Sequence, residues 1–198
     1  MRNNLVNYMV LDDIFEKKRF NRLALEMRKG SKKAAENLYR ELVKKVFGFC
    51  VTRVGNRAAA EDITQEIFLK LVSRIELFDP KKGDFIVWFW QMARNTVIDH
   101  YRRQKETSFA DLENEGEVFD IAGDNPQNAY DDRLKREKLN KLLKSFTEEE
   151  QEIFRLRFLG ELSYKEMAGV LEKSEGALRV AVNRLKKKLK SNLNYGKF

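Results

Sequence analysis

The amino-acid sequence predicts an all-α protein made of two small helical domains joined by an acidic linker. Three observations carry that prediction. The 198 residues include only 10 Gly and 2 Pro against 35% charged residues, a balance that favours helices with few turns. Apolar residues recur at steps of three and four in both halves, the spacing of an amphipathic helix. Between the halves, residues 106–132 hold nine acids (Glu106, Asp111, Glu113, Glu115, Glu117, Asp120, Asp124, Asp131 and Asp132) and no Lys or Arg. The whole chain carries +8, so without those nine acids the remainder stands at +17. Gly116, Gly123 and Pro126 mark the same stretch as linker rather than core.

In chain order this gives an N-terminal extension (1–19), a first domain (20–105), the linker (106–134), a second domain (135–192) and a tail (193–198). Helices are expected across 16–28, 31–54, 58–77 and 84–104. From Ala58 to Ile75, Ile63, Ile67, Leu71 and Ile75 form a buried stripe at steps of four. Asp62, Gln65, Glu66 and Leu69 make a mixed acidic face beside it, suited to solvent or to a basic helix of a partner. Asp79, Pro80, Lys82 and Gly83 then set a loop.

The helix after that loop combines Trp88, Phe89 and Trp90 with Arg94, Asn95, Asp99, His100, Tyr101, Arg102 and Arg103. Rings beside cations and an amide are what unpaired bases need: stacking platforms, phosphate contacts and base-edge hydrogen bonds. Most of the rings are expected in the core. Trp88, Met92, Asn95 and Asp99 recur at steps of four, three and four, so they differ in burial. His100 is placed on an exposed basic face.

Residues 163–190 predict a helix-turn-helix. Ser163 and Glu166 form a capping box, with Met167, Ala168 and Leu171 facing inward. Ser174 caps a second helix whose Leu178, Val182, Leu185 and Leu189 pack along one side. Arg179, Val180, Asn183, Arg184, Lys187 and Lys190 are left on or flanking the open side. Arg179 suits guanine O6 and N7, Asn183 suits adenine, and the two lysines suit phosphates. An amphipathic hairpin with a solvated basic face is the plainer alternative.

The bulk chemistry is equally informative. A pI near 9.5 suits a polyanionic partner. One cysteine, Cys50 in the apolar run VFGFCV, and one histidine, His100, exclude an intrachain disulfide and the usual zinc sites. Cys50 is expected to be a buried thiol. No enzyme signature, GxxxxGK[ST] loop or cofactor motif is present, and no stretch approaches the ~20 apolar residues of a membrane span. The N-terminus lacks a secretory apolar region, so a cytoplasmic protein is expected; Met9 is an alternative start.

Three segments, AAEDITQEIFLKLV, FIVWFWQMARNTVIDHYRRQ and LSYKEMAGVLEKSEGALRVAVNRLKKKL, stand in the order and spacing of region two and region four of the extracytoplasmic-function class of sigma-70 factors, which they resemble. The resemblance implies a region 2 helical bundle and a region 4 helix-turn-helix, and a subunit that gives bacterial RNA polymerase its promoter specificity. It implies that Asp62, Gln65, Glu66 and Leu69 grip core RNA polymerase. Residues 78–85 match a loop that receives a flipped base. Asn95 and Asp99 match positions reading the minus-10 element of promoter DNA, with Trp88 beside them and Arg94, Arg102 and Arg103 on phosphates. Arg179, Val180, Asn183 and Arg184 match the minus-35 reading face. The acidic linker would thread through polymerase toward its RNA exit, and a separate anti-sigma factor is an expected regulator.

Val180 and Ala181 depart from the family's small polar and basic residues there, so a standard minus-35 sequence is not implied. The alternative function is a stand-alone helix-turn-helix regulator of duplex operator DNA, which leaves the acidic face and the aromatic–basic helix without a job. A recombinase or nuclease is weaker still, for lack of metal-site spacing. The relative placement of the two domains is left open.

Overall fold

A computed structural model describes residues 17–107 and 143–194, and these are helical with short connections. The expected linker therefore lies mostly outside the described residues, as do the first sixteen residues and the last four. Helix α1 covers 17–28, α2 Lys32–Val54, α3 Arg57–Arg74 and α4 Phe85–Thr107. The second module follows with α5 (Glu148–Phe154), a π-helical turn (Arg155–Leu159), α6 (Tyr164–Leu171) and α7 (Glu175–Asn194).

Local chemistry sets most helix ends. Ser31 and Asn56 accept from the backbone N–H of Ala34 and Ala59, capping α2 and α3. Gly55 closes α2 at a φ of 73°, where a β-carbon would be strained. Thr147 with Glu150, and Ser163 with Glu166, form complete capping boxes on α5 and α6. Glu172 takes the left-handed conformation, φ 55°, that turns α6 into α7, and Ser174 accepts from Ala177 N–H to start α7.

In the first module α2 packs along α3 and α3 along α4. Ile63, Ile67, Leu71 and Ile75 are buried as their spacing predicts, beside Leu38, Leu42 and Val46 of α2. Phe49, Phe85, Phe89 and Trp90 are wholly buried and meet edge to face or stacked, with Phe49 and Trp90 centroids 5.3 Å apart. Truncating any one of these to Ala would cost ~3–5 kcal/mol, the range for large aromatic core residues.

Helix α1 ties down the α3–α4 loop. Arg28 donates to the Phe78 carbonyl at 2.8 Å, while Asn21 accepts from Phe85 N–H at 2.7 Å and donates to Asp84 at 3.2 Å. Both ends of the loop are held by one helix.

The second module docks on the first. Helix α6 lies against α4, and the π-helical turn lies against α2. Gly169 of α6 passes so close to Val87 of α4 that a β-carbon would meet Val87 Cγ1 at 2.8 Å. Gly160 packs against Trp90 in the same way, at 3.1 Å from Cζ2. One hydrophobic core runs through both modules.

Candidate nucleic-acid interface

Helix α7 carries the first candidate face. Leu178, Val182 and Leu185 are fully buried and Leu189 half-buried, which fixes the helix's rotation. Arg179, Val180, Asn183, Arg184, Lys187 and Lys190 are consequently all exposed on the opposite side, as expected. The Arg179 guanidinium sits 4.6 Å from the Tyr164 ring centroid and 3.4 Å from Glu175. Lys188, between the two candidate lysines, turns the other way to bond Glu150 of α5. That bond, with Thr147 N–H, holds the Glu150 carboxyl below its ordinary pKa. Of the inward residues expected on α6, Met167 is buried and Ala168 and Leu171 are half-buried; Val170 fills the remaining inner position.

Helix α4 carries the second face. Asn95, Asp99, Arg102 and Arg103 are exposed along it. Trp88 is half-buried, its ring against Phe78 at 5.7 Å and Phe85 at 6.0 Å, so the loop's aromatic base supports it. The loop turns on itself through Lys82 N–H to the Asp79 carbonyl at 3.0 Å, leaving Pro80, Lys81, Lys82 and Gly83 exposed. His100 departs from expectation. It is half-buried, and its buried Nε2 has no hydrogen-bond partner among the described residues.

The acidic face of α3 exposes Asp62, Gln65 and Leu69, with Leu69 at 69% exposure and Val72 at 60% extending it. Glu66 differs: it is half-buried between Lys70 at 2.7 Å and Arg103 at 3.3 Å. Burial pushes its carboxyl up, but the hydrogen bond and charge of Lys70, with Arg103, outweigh it and leave the pKa lowered. Glu66 thus joins the α3 face to the Arg103 end of α4.

One group of residues escaped sequence reasoning. Glu152 of α5 is buried at the seam between the modules, where its Oε1 accepts from Arg94 Nε at 2.9 Å and its Oε2 from Arg53 Nη1. Arg155 lies beside it, donating to the Thr52 carbonyl at 3.0 Å and to Gln151. Burial first, then the nearby Arg53 charge, lowers the Arg155 pKa to about 10, against the pull of Glu152. Gln91 crosses the seam to the Gly169 carbonyl at 2.9 Å, and Lys45 to Glu161 at 2.7 Å. Arg94, expected on phosphate, is held by a carboxylate. Helical spacing links Arg155 to Gln151 and Glu152, but no sequence signal pairs Glu152 with Arg94 and Arg53, which stand 58 and 99 residues away.

Comparison with known proteins identifies both modules. Residues 38–107 match sigma-70 region 2 and residues 136–189 match sigma-70 region 4. The chain is 34% identical to the ECF RNA polymerase sigma factor BldN of Streptomyces coelicolor over 152 residues, 76% of this chain but 56% of BldN's length. It is 25% identical to the RNA polymerase sigma factor YlaC of Bacillus subtilis, across 80% of this chain and 91% of that protein. Its fold is similar to CnrH in complex with the cytosolic domain of CnrY (TM-score 0.63, 20% identity, 90% of this chain and 99% of that one). It is also similar to the sigma factor RpoE bound to the anti-sigma factor NepR from Bartonella quintana (TM-score 0.64, 16% identity, 82% and 98%). The chain belongs to the sigma-70 family, in its extracytoplasmic-function class.

Proposed function

We propose that this chain is a dissociable sigma factor that binds core RNA polymerase and directs promoter recognition for transcription initiation. The observation that carries the reading is a pair of exposed polar and basic faces on two family regions in the family's order: Asn95, Asp99 and Arg102 on α4, and Arg179, Asn183 and Arg184 on α7. The first module opens and reads the minus-10 element through Trp88, Arg94, Asn95, Asp99, Arg102 and Arg103. The second binds minus-35 duplex with the α7 face, Arg179 and Asn183 reading base edges and Lys187 and Lys190 holding phosphates.

Asp62, Gln65, Glu66 and Leu69 supply the contact with polymerase, where an exposed leucine among acids suits a helix with an apolar centre and basic flanks. An anti-sigma factor is a second partner, a proposal supported by RpoE's complex with NepR. Extruding bases costs a few kcal/mol each, which polymerase and the captured strand supply. The chain works in the cytoplasm, as a binding subunit and not an enzyme. Among the described residues no helix is long and apolar enough to cross a membrane.

Reconstituted transcription tests this reading: purified chain, bacterial core polymerase and a genomic promoter library, with starts mapped. Starts that require the chain and share two upstream elements establish it. Specific duplex binding by the chain alone, with no core binding and no new starts, replaces it with the stand-alone regulator.

A further inference from the structure

The Glu152 carboxylate is bound as a phosphate would be. Two guanidiniums from different helices, Arg53 at the end of α2 and Arg94 on α4, each take one of its oxygens, and Arg155, three residues on from Glu152, lies 3.9 Å from the second. Arginine forks match a phosphodiester's two free oxygens as well as a carboxylate's. Tyr101 stands at the same place, its hydroxyl donating to the Arg53 carbonyl and its half-open ring 5.9 Å from the Arg53 guanidinium. On α4, Gln91, Arg94 and Tyr101 follow steps of three and seven and lie one row round the helix from Asn95, Asp99 and Arg102. A strand read by that outer row would lay its backbone against the inner one.

The docked arrangement also conflicts with use of both faces at once. Elements centred near minus-10 and minus-35 are about 25 base pairs apart, roughly 85 Å at ~3.4 Å per pair. Modules in direct contact through Gly169 and Val87 cannot span that distance. Beside Arg94 the seam opens into a polar cleft of about 420 Å³ lined by Gln91, Asn95, Val170, Leu171 and Glu172.

We propose that Arg53 and Arg94 form a seat for a backbone phosphate of the promoter strand, and that Glu152 fills this seat in the docked chain, so that the chain's own carboxylate competes with nucleic acid. This rests on the minus-10 role given to α4 above and adds Arg53 to it. Glu152 is then both latch and mask: the contact that closes the modules also covers the site.

The test uses the full-length chain, small-angle scattering for docking, and anisotropy of a fluorescein-labelled, mixed-sequence single-stranded DNA 20-mer for binding. Glu152→Gln removes the charge. Gly169→Gln wedges the seam sterically while leaving Arg53, Arg94 and Glu152 in place, and guards against a folding defect specific to the first variant. Both are expected to enlarge the radius of gyration and tighten DNA binding. If docking occupies about nine molecules in ten, the gain is about tenfold, because apparent affinity scales with the competent fraction.

Adding Arg53→Ala to either variant is expected to abolish that gain and reduce the salt dependence by about one phosphate contact. The proposal falls if both variants stay docked, if the opened chains bind no tighter, or if Arg53→Ala leaves the gain intact. The promoter-library experiment separates the two ideas. A holoenzyme that initiates normally while these variants gain nothing sinks only the seat. A gain that Arg53→Ala removes, in a chain that directs no starts, sinks only the sigma reading.

Discussion

Tyr164 and Arg179 come together across the helix-turn-helix, the guanidinium lying 4.6 Å from the ring centroid, with Arg157 over the same ring at 5.1 Å. Tyr164 opens α6 and Arg179 lies in the second turn of α7, so the contact bridges the motif's two helices. Arg157 is itself fixed by donating to the Leu162 carbonyl at 2.6 Å. Glu175, one turn before Arg179, completes the setting at 3.4 Å. A long exposed side chain is thereby restricted, which lowers the ordering cost of the DNA contact proposed for it.

Tyr164→Phe should therefore retain minus-35 binding, because the ring face remains, whereas Tyr164→Ala should weaken it. An exposed cation–π contact is worth ~0.5–1 kcal/mol, about a two- to fivefold change. Competition between promoter duplex and the same duplex with its guanines replaced checks the assignment. A loss confined to the guanine-bearing duplex identifies positioning of Arg179, and an equal loss on both contradicts it.

Arg179→Ala and Asn183→Ala should each cost ~1–3 kcal/mol of promoter discrimination, the worth of one bidentate base contact. Both side chains are exposed and their helix is held by Leu178, Val182 and Leu185, so folding should be unchanged. Duplex binding of the holoenzyme and association with core polymerase are measured separately. Equal loss in both would remove the minus-35 assignment.

Asp62→Arg combined with Glu66→Arg should lower affinity for core polymerase. The Glu66 change also releases Lys70 and Arg103, so Asp62→Arg alone is the cleaner probe. Asp62 is exposed, so the thermal midpoint of Asp62→Arg should move little, whereas Glu66→Arg sets a cation between Lys70 and Arg103 and should lower it. Wild-type affinity for core in these variants would exclude α3 as the contact surface.

Cys50 is completely buried in α2, and burial pushes its thiol pKa up to about 12, with the Thr64 side chain beside it pulling the other way. It should react with Ellman's reagent only when the chain unfolds. A folded-state pKa above the unfolded value of about 9 contributes stability that is complete below pH 9 and lost as pH rises toward 12. The stability of Cys50→Ala should accordingly fall less steeply than that of the wild type between pH 9 and 11, measured by urea unfolding. Parallel curves would contradict the burial account.

Whatever depends on neighbours within one or two turns is readable from the chain's residue order. Ser163 and Glu166 announced the start of α6 because both halves of a capping box lie three residues apart. Ile63, Ile67 and Leu71 set the rotation of α3, and Leu178, Val182 and Leu185 that of α7, so which residues of each helix face outward was legible. The candidate faces on α3, α4 and α7 follow from that rotation. What those faces meet depends on how the helices pack across the chain. Arg94, expected on phosphate, is held by Glu152 from 58 residues away, and Arg53 takes the other oxygen of the same carboxylate. His100 is half-buried, and α1 proved to hold both ends of the α3–α4 loop through Asn21 and Arg28. The reason is physical: helix periodicity is written in steps of three and four, whereas a carboxylate between two arginines from different helices is set by how whole modules dock. No local spacing records that docking.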